Sequence, residues 1–163
     1  AGDAAELFEW VLRLNPSDNQ GHRGWLVNHY LRIGDDERVL AVSLHHEDDA
    51  LVDTCFGRAL ALWRLGRLEE AKAQLRAAAQ ETPRTARALV AAKMRQPEMS
   101  PYGITIGGED EAWIYREEMW ETWRATPAAL EFLAGLPIPE PTDPRPRKGR
   151  HRRKGRAPDA ERF

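Results

Sequence analysis

An all-α fold is predicted by three observations. Apolar residues recur at intervals of three and four through most of the first 136 residues, which is typical of helices with one buried face. Glycine and proline separate these stretches. The chain lacks the succession of alternating apolar and polar segments that strands produce. Its 163 residues, 42% hydrophobic and 31% charged, suit one globular domain.

Six helical stretches fill the first 95 residues. Pro16, Gly34, Gly66 and Pro83 end the first, second, fourth and fifth of them, because proline cannot continue a helix and glycine readily adopts the left-handed turn past a helix end. Thr85 is a candidate N-cap for the sixth. The predicted helices cover residues 4–14, 20–33, 36–46, 51–65, 68–81 and 85–95.

A loop and two further helices complete the helical region. Residues 96–109 contain two prolines and three glycines, which predicts a loop with a short extended piece at 104–106. A helix over 110–124 follows, with acidic residues in its first turn, where the helix dipole favours them. Thr126 and Pro127 are predicted to start a last helix, as N-cap and first helical residue, that runs through Leu136.

Charge is divided unevenly between the body of the chain and its end. Of the 24 basic and 26 acidic side chains, nine basic and two acidic lie in residues 145–163. That segment has almost no apolar residues, so it is predicted to be disordered. The prolines before it predict a stiff, extended linker. We therefore expect a helical domain over 1–136, and a Pro-rich linker with a disordered basic tail over 137–163.

An internal repeat accompanies the helical pattern. Two stretches place small, apolar and proline residues at the same spacing: Ala4, Phe8, Val11 and Pro16 in one, and Ala71, Leu75, Ala78 and Pro83 in the other. The two prolines lie 67 residues apart, close to twice a unit of about 34 residues. Small residues at these positions let two helices approach closely.

In this pattern the sequence resembles the tetratricopeptide repeat family. The best unit covers about 52–83 and a looser one about 19–50, while 4–16 matches only the second helix of a unit. Cys55, Arg58 and Leu62 depart from the family consensus. The matching residues of the best unit are Ala59, Gly66, Ala71, Leu75, Ala78 and Pro83. The resemblance implies an α-solenoid of antiparallel helix pairs with C-terminal capping helices.

Two segments also resemble a group of bacterial tetratricopeptide-like proteins related to the suppressor-of-tumorigenicity family. The matches are Asn15, Pro16, Asp18, Asn19, Gln20 and Gly21 in the first segment, and Glu111, Ala112, Tyr115, Trp123, Thr126 and Pro127 in the second. This resemblance implies a helical scaffold and supplies no catalytic residues.

The phase of the repeat makes residues 4–14 a second helix without its first. The chain also begins with Ala rather than Met. We therefore expect a fragment or processed product of a longer repeat array. An apolar face left exposed on this helix would favour self-association.

The predicted function is a non-catalytic protein-interaction scaffold. The first helices of such repeats line a concave surface. Their amide, guanidinium and aromatic groups could hold a peptide or a partner protein, and the predicted partner-binding residues are Asn28, Arg32, Phe56, Trp63 and Arg64.

The basic tail suggests an alternative, a nucleic-acid-associated adaptor. Its cations would neutralise phosphates without sequence selectivity, and no aromatic lies among them to stack on bases. The sequence favours equally a tail that folds back on the acidic body of the chain. The residues concerned are Arg147, Lys148, Arg150, Arg152, Arg153 and Lys154.

Other reactive residue types favour structural interpretations. The five histidines lack the paired spacing of a zinc site. Cys55 lies in an apolar stripe with no base nearby, and as the single cysteine it fits a reducing, cytoplasmic location. The aromatics of 110–124 predict either a broad packing face or an exposed patch for a partner. No catalytic residue, metal, cofactor or membrane-spanning segment is predicted.

Overall fold

Eight helices are present in the computed structural model, which describes residues 2–15, 17–18, 21–44 and 51–141. The all-α prediction is confirmed, since no strand occurs within these ranges. None of the helices described is long and apolar enough to cross a membrane. The helices are α1 (Gly2–Leu14), α2 (His22–Ile33), α3 (Asp36–Leu44), α4 (Val52–Arg64), α5 (Leu68–Glu81), α6 (Pro83–Val90), α7 (Glu109–Arg124) and α8 (Pro127–Ala134).

Two similar turns connect α2 to α3 and α4 to α5. Gly34 and Gly66 adopt left-handed backbone angles, with φ of 77° and 75°. In each turn the glycine N–H and the N–H of the following residue donate to carbonyls of the preceding helix, which is the Schellman arrangement. The predicted ends of α2 and α4 are therefore confirmed within a residue, by the mechanism expected of glycine.

The sixth helix differs most from its prediction. It begins at Pro83 and ends at Val90, rather than covering 85–95. Thr85 is buried inside the helix and is not its N-cap. Proline fits the first helical position because its fixed φ and missing N–H cost nothing there, so α6 begins one residue after α5 ends. The following loop occupies 91–108, and the extended piece expected at 104–106 forms no strand.

Helices α2 and α4 form the centre of the fold and approach each other closely. A Cβ added to Gly57 of α4 would overlap the side chain of Val27 on α2. Phe56 and Leu60 of α4, with Leu26 and Leu31 of α2, are fully buried between these helices and their neighbours. Helix α3 packs on both of these helices, and α5 packs on α4.

The last two helices pack back onto the earlier ones. Helix α7 contacts α2, α4 and α6, and α8 contacts α5, α6 and α7. Residues beyond 136 also contact the helical body, because Arg87 of α6 donates to the carbonyls of Ile138 and Pro139. Gln80 of α5 donates to the carbonyl of Pro137 at 3.3 Å. Residues 137–139 are therefore held against α5 and α6.

Candidate functional site

The five predicted partner-binding residues lie on α2 and α4, where α7 covers part of this region and Phe132 of α8 packs on Trp63. Asn28 and Phe56 are buried, and Trp63 and Arg64 are half-buried. The side chain of Arg32 is 40% exposed and stands at the edge of the covered face. The surface predicted to hold a peptide therefore contacts two helices of the same chain.

A polar cluster joins α2, α4 and α7 at that edge. The side-chain amide of Asn28 donates to Asp53 of α4 at 2.6 Å and to Glu118 of α7 at 3.5 Å. Arg32 also pairs with Glu118, with its Nη2 3.4 Å from Oε2. The side-chain oxygen of Asn28 is buried without a hydrogen-bond partner in the described part of the chain. Both predicted residues thus bind α7 directly.

Arg64 connects three helix ends. Its guanidinium donates to the carbonyl of Leu31 near the end of α2 at 2.9 Å, and to the carbonyl of Thr122 near the end of α7 at 3.0 Å. A third bond, 3.3 Å long, reaches the hydroxyl of Thr126 before α8. A cation at two helix C-termini is favoured by the helix dipoles. Thr126 is the N-cap residue of α8 and Pro127 its first helical residue, as predicted, although the Thr126 hydroxyl makes no cap bond to the helix.

Arg64 also faces a partly buried carboxylate. Its Nη1 lies 3.5 Å from Oδ1 of Asp36, in the first turn of α3. Burial raises the pKa of Asp36 above its ordinary value, and the attraction of Arg64 only partly opposes that rise. The guanidinium of Arg64 therefore stabilises the charged form of the partly buried Asp36 carboxylate.

Aromatic side chains fill the covered face. The ring of Phe56 lies 5.9 Å from that of Tyr115 and 6.2 Å from that of Trp123, both on α7. The indole N–H of Trp123 donates to the Tyr115 hydroxyl at 3.1 Å, and burial raises the pKa of that hydroxyl. Trp63 packs on Phe132 of α8 at 5.7 Å. For Trp123 and Tyr115, packing is the interpretation that the structure favours.

The acidic cluster at the start of α7 holds the preceding loop. Asp110 accepts from the N–H of Thr105 at 2.8 Å, and Glu111 accepts from the N–H of Gly107 at 2.7 Å. Burial raises the pKa of Glu111. Since these carboxylates are occupied by backbone N–H groups of their own loop, their arrangement is that of a loop anchor.

One open apolar surface is a face of α1. Leu7, Trp10 and Leu14 are 55%, 53% and 65% exposed. The spacing of three and four residues places them on one side of the helix. The opposite side packs on the body through Phe8, whose ring lies 4.7 Å from that of Trp25 on α2. The sequence signal was present, since Leu7 and Leu14 are seven residues apart, but periodicity alone did not separate the two faces.

Metal-ligating and nucleophilic residues do not converge in the described ranges. No group of three His, Cys, Asp or Glu there could hold a metal ion. Cys55 is a buried free cysteine on α4. His45 and His46, and the six basic tail residues from Arg147 to Lys154, lie outside the described residues.

Several of the described residues that carry the family resemblances lie at helix contacts and caps. Ala59, Ala71 and Ala78 are buried in the core. Asp18 accepts from the N–H groups of His22 and Arg23 in the first turn of α2, at 2.9 and 3.0 Å. Each of these residues therefore has a role in folding. No protein-family model, curated protein or solved structure matches the chain.

Proposed function

We propose that the chain is a non-catalytic protein-interaction scaffold of the tetratricopeptide type. Two successive helix pairs, α2–α3 and α4–α5, close through the same glycine turn, which supports a repeat. The alanines of the motif, Ala59, Ala71 and Ala78, are buried in α4 and α5, which pack against each other. A cytoplasmic location is part of this proposal and fits the free thiol of Cys55.

The exposed face of α1, formed by Leu7, Trp10 and Leu14, carries the proposal. A surface helix normally presents one apolar face to the core and a polar face to water. Helix α1 presents apolar side chains on two opposite sides, and only one of them is packed. Tryptophan and leucine that protrude together in this way are typical of a protein-binding surface.

The covered face of α2 and α4 takes a secondary part in this proposal. Phe56, Trp63 and Arg64 are engaged by α7 and α8, so a partner would reach that region only at its edge. Arg32 and Glu118 form this edge, with side chains 40% and 51% exposed. A partner there would meet a polar ion pair and not an apolar groove.

Capture experiments test the proposed function. The full chain and the double variant Leu7→Ser and Leu14→Ser would each be incubated with a nuclease-treated lysate. The proteins that each retains, other than the chain itself, would then be compared. We expect the double variant to lose the retained proteins, because the apolar area that drives association is removed from an exposed face. Cross-linking mass spectrometry should place the contacts on α1.

A matched control is Ile33→Ser, which removes an exposed apolar side chain at the end of α2. Circular dichroism should show the same helicity in all three proteins, since every altered side chain is largely exposed. Equal retention by the wild type and the double variant would contradict the proposal, as would cross-links that avoid α1.

A second candidate function is nucleic-acid association through the tail, favoured by nine basic side chains in residues 145–163. We expect the full chain to bind labelled RNA or duplex DNA in fluorescence anisotropy, with an affinity that falls steeply as salt rises. A chain of residues 1–144 should lose this binding, and so should a full chain with the six basic tail residues replaced by Gln. Binding that survives in either variant, or that ignores salt, would contradict this candidate.

A further inference from the structure

We propose that the exposed face of α1 binds the same face of a second copy of this chain, with the two helices antiparallel about a two-fold axis. This inference deepens the proposed function and rests on it for the choice of surface. It names the occupant of that surface, and three features of α1 support it.

The apolar stripe has the length and shape of a helix–helix contact. Leu7 and Leu14 lie two turns apart, about 10 Å along the helix, with Trp10 between them. The packed residues Ala5, Phe8 and Leu12 follow the same spacing on the other side. A helix with two opposite apolar sides is normally buried between two layers, and the described fold supplies only one of them.

The stripe is complementary to itself in the antiparallel orientation. Read in either direction it is leucine, tryptophan, leucine, with the tryptophan near the middle. A two-fold axis close to Trp10 would place Leu7 against Leu14 of the other copy at both ends of the contact. Both indole rings would then pack near the centre. Interfaces of this isologous kind require such self-complementarity.

Charge on one flank of the stripe selects the orientation. Glu6 and Arg13 are seven residues apart, so they lie on the same side of the helix, and both are exposed. Neither side chain has an ion-pair partner in the part of the chain that the structure describes. The antiparallel arrangement brings Glu6 near Arg13 of the other copy twice in each dimer. A parallel two-fold arrangement would place this flank of the two helices on opposite sides of the contact, so neither Glu6–Arg13 attraction would form.

Sedimentation equilibrium of the full chain over a wide concentration range tests the proposal. We expect a monomer–dimer equilibrium that Trp10→Ser abolishes, with helicity retained. Glu6→Arg and Arg13→Glu should each raise the dissociation constant about tenfold, because each converts two attractions per dimer into repulsions. Mixed in equal amounts, these two variants should form a heterodimer about as stable as the wild-type dimer, since both contacts then join opposite charges.

Each result decides the inference separately from the proposed function. A chain that stays monomeric, or a dimer that persists with Trp10→Ser, overturns it. A dimer that ignores both charge reversals, or a mixture that fails to recover affinity, overturns the antiparallel arrangement. If a monomeric chain retains other proteins through α1, the inference fails while the proposed function stands. If the chain forms the dimer but retains no other protein, the inference stands and the proposed function fails.

Discussion

Replacing Trp123 by Ala is expected to lower the free energy of unfolding by about 4 kcal/mol. The indole is fully buried on α7, where it packs against Phe56 and donates to the hydroxyl of Tyr115. Its removal would leave a large cavity between α7 and α4 and deprive the buried Tyr115 hydroxyl of its partner. Urea denaturation followed by circular dichroism measures the loss.

Trp10→Ala is the matched control for Trp123→Ala. The same residue type at an exposed position of α1 should change the free energy of unfolding by less than about 0.5 kcal/mol. The measurement is made at a protein concentration below that of self-association, because dimer formation would add apparent stability. A cost for Trp123→Ala as small as that of the control would contradict the placement of α7 in the core.

Replacing Arg64 by Ala is expected to lower the free energy of unfolding by about 3 kcal/mol. The guanidinium donates to carbonyls of Leu31 and Thr122, and its removal would leave both with fewer donors. Asp36 would also keep a poorly hydrated carboxylate without its counter-charge. Thermal and urea unfolding of the variant measure the combined loss.

The loss at Arg64 should depend on pH through Asp36. The folded pKa of Asp36 is raised above its unfolded value, so between the two values the folded state binds more protons than the unfolded state. This group therefore lowers the free energy of unfolding as pH rises through that window. Without Arg64 the pKa of Asp36 should rise further. The destabilisation of Arg64→Ala should accordingly diminish as the solution is acidified through that window.

Two further variants separate Arg64 from an ordinary surface charge. Arg124→Ala breaks an ion pair with Glu121 that is open to water on both sides, and should cost less than about 0.5 kcal/mol. Adding Asp36→Asn to Arg64→Ala should recover part of the lost stability, because the uncompensated charge is removed. Equal costs for the two arginine variants, or a pH-independent loss at Arg64, would contradict the role assigned to this contact.

The helix prediction succeeded where local chemistry decides the outcome. Gly34 and Gly66 end α2 and α4 because glycine, which lacks a Cβ, adopts the left-handed backbone conformation of the turn without steric cost. This preference can be recognised from the local sequence. The end of α6 could not be recognised in this way. Arg116 of α7, distant in sequence, donates to the carbonyls of Ala88 and Ala91 and so holds the helix end and the following loop.

The candidate site was only partly accessible to sequence reasoning. Asn28, Arg32, Phe56, Trp63 and Arg64 lie in one region of α2 and α4, since helical spacing determines which residues share a face. Their role in binding a partner stays a prediction. What covers that region depends on how α7 returns across a loop of 18 residues, from 91 to 108. The spacing of residues within α2 and α4 does not indicate where α7 packs after that loop.

The amino-acid sequence by itself determined the all-α class, the order of eight helices and the glycine turns, because these depend on interactions between residues close in the chain. Only the tertiary structure decided that α7 packs on the face of α2 and α4, and that Leu7, Trp10 and Leu14 remain open. The physical reason is that burial is a property of pairs of elements. An apolar stripe shows that a helix needs a partner, and the fold decides which stripes receive one.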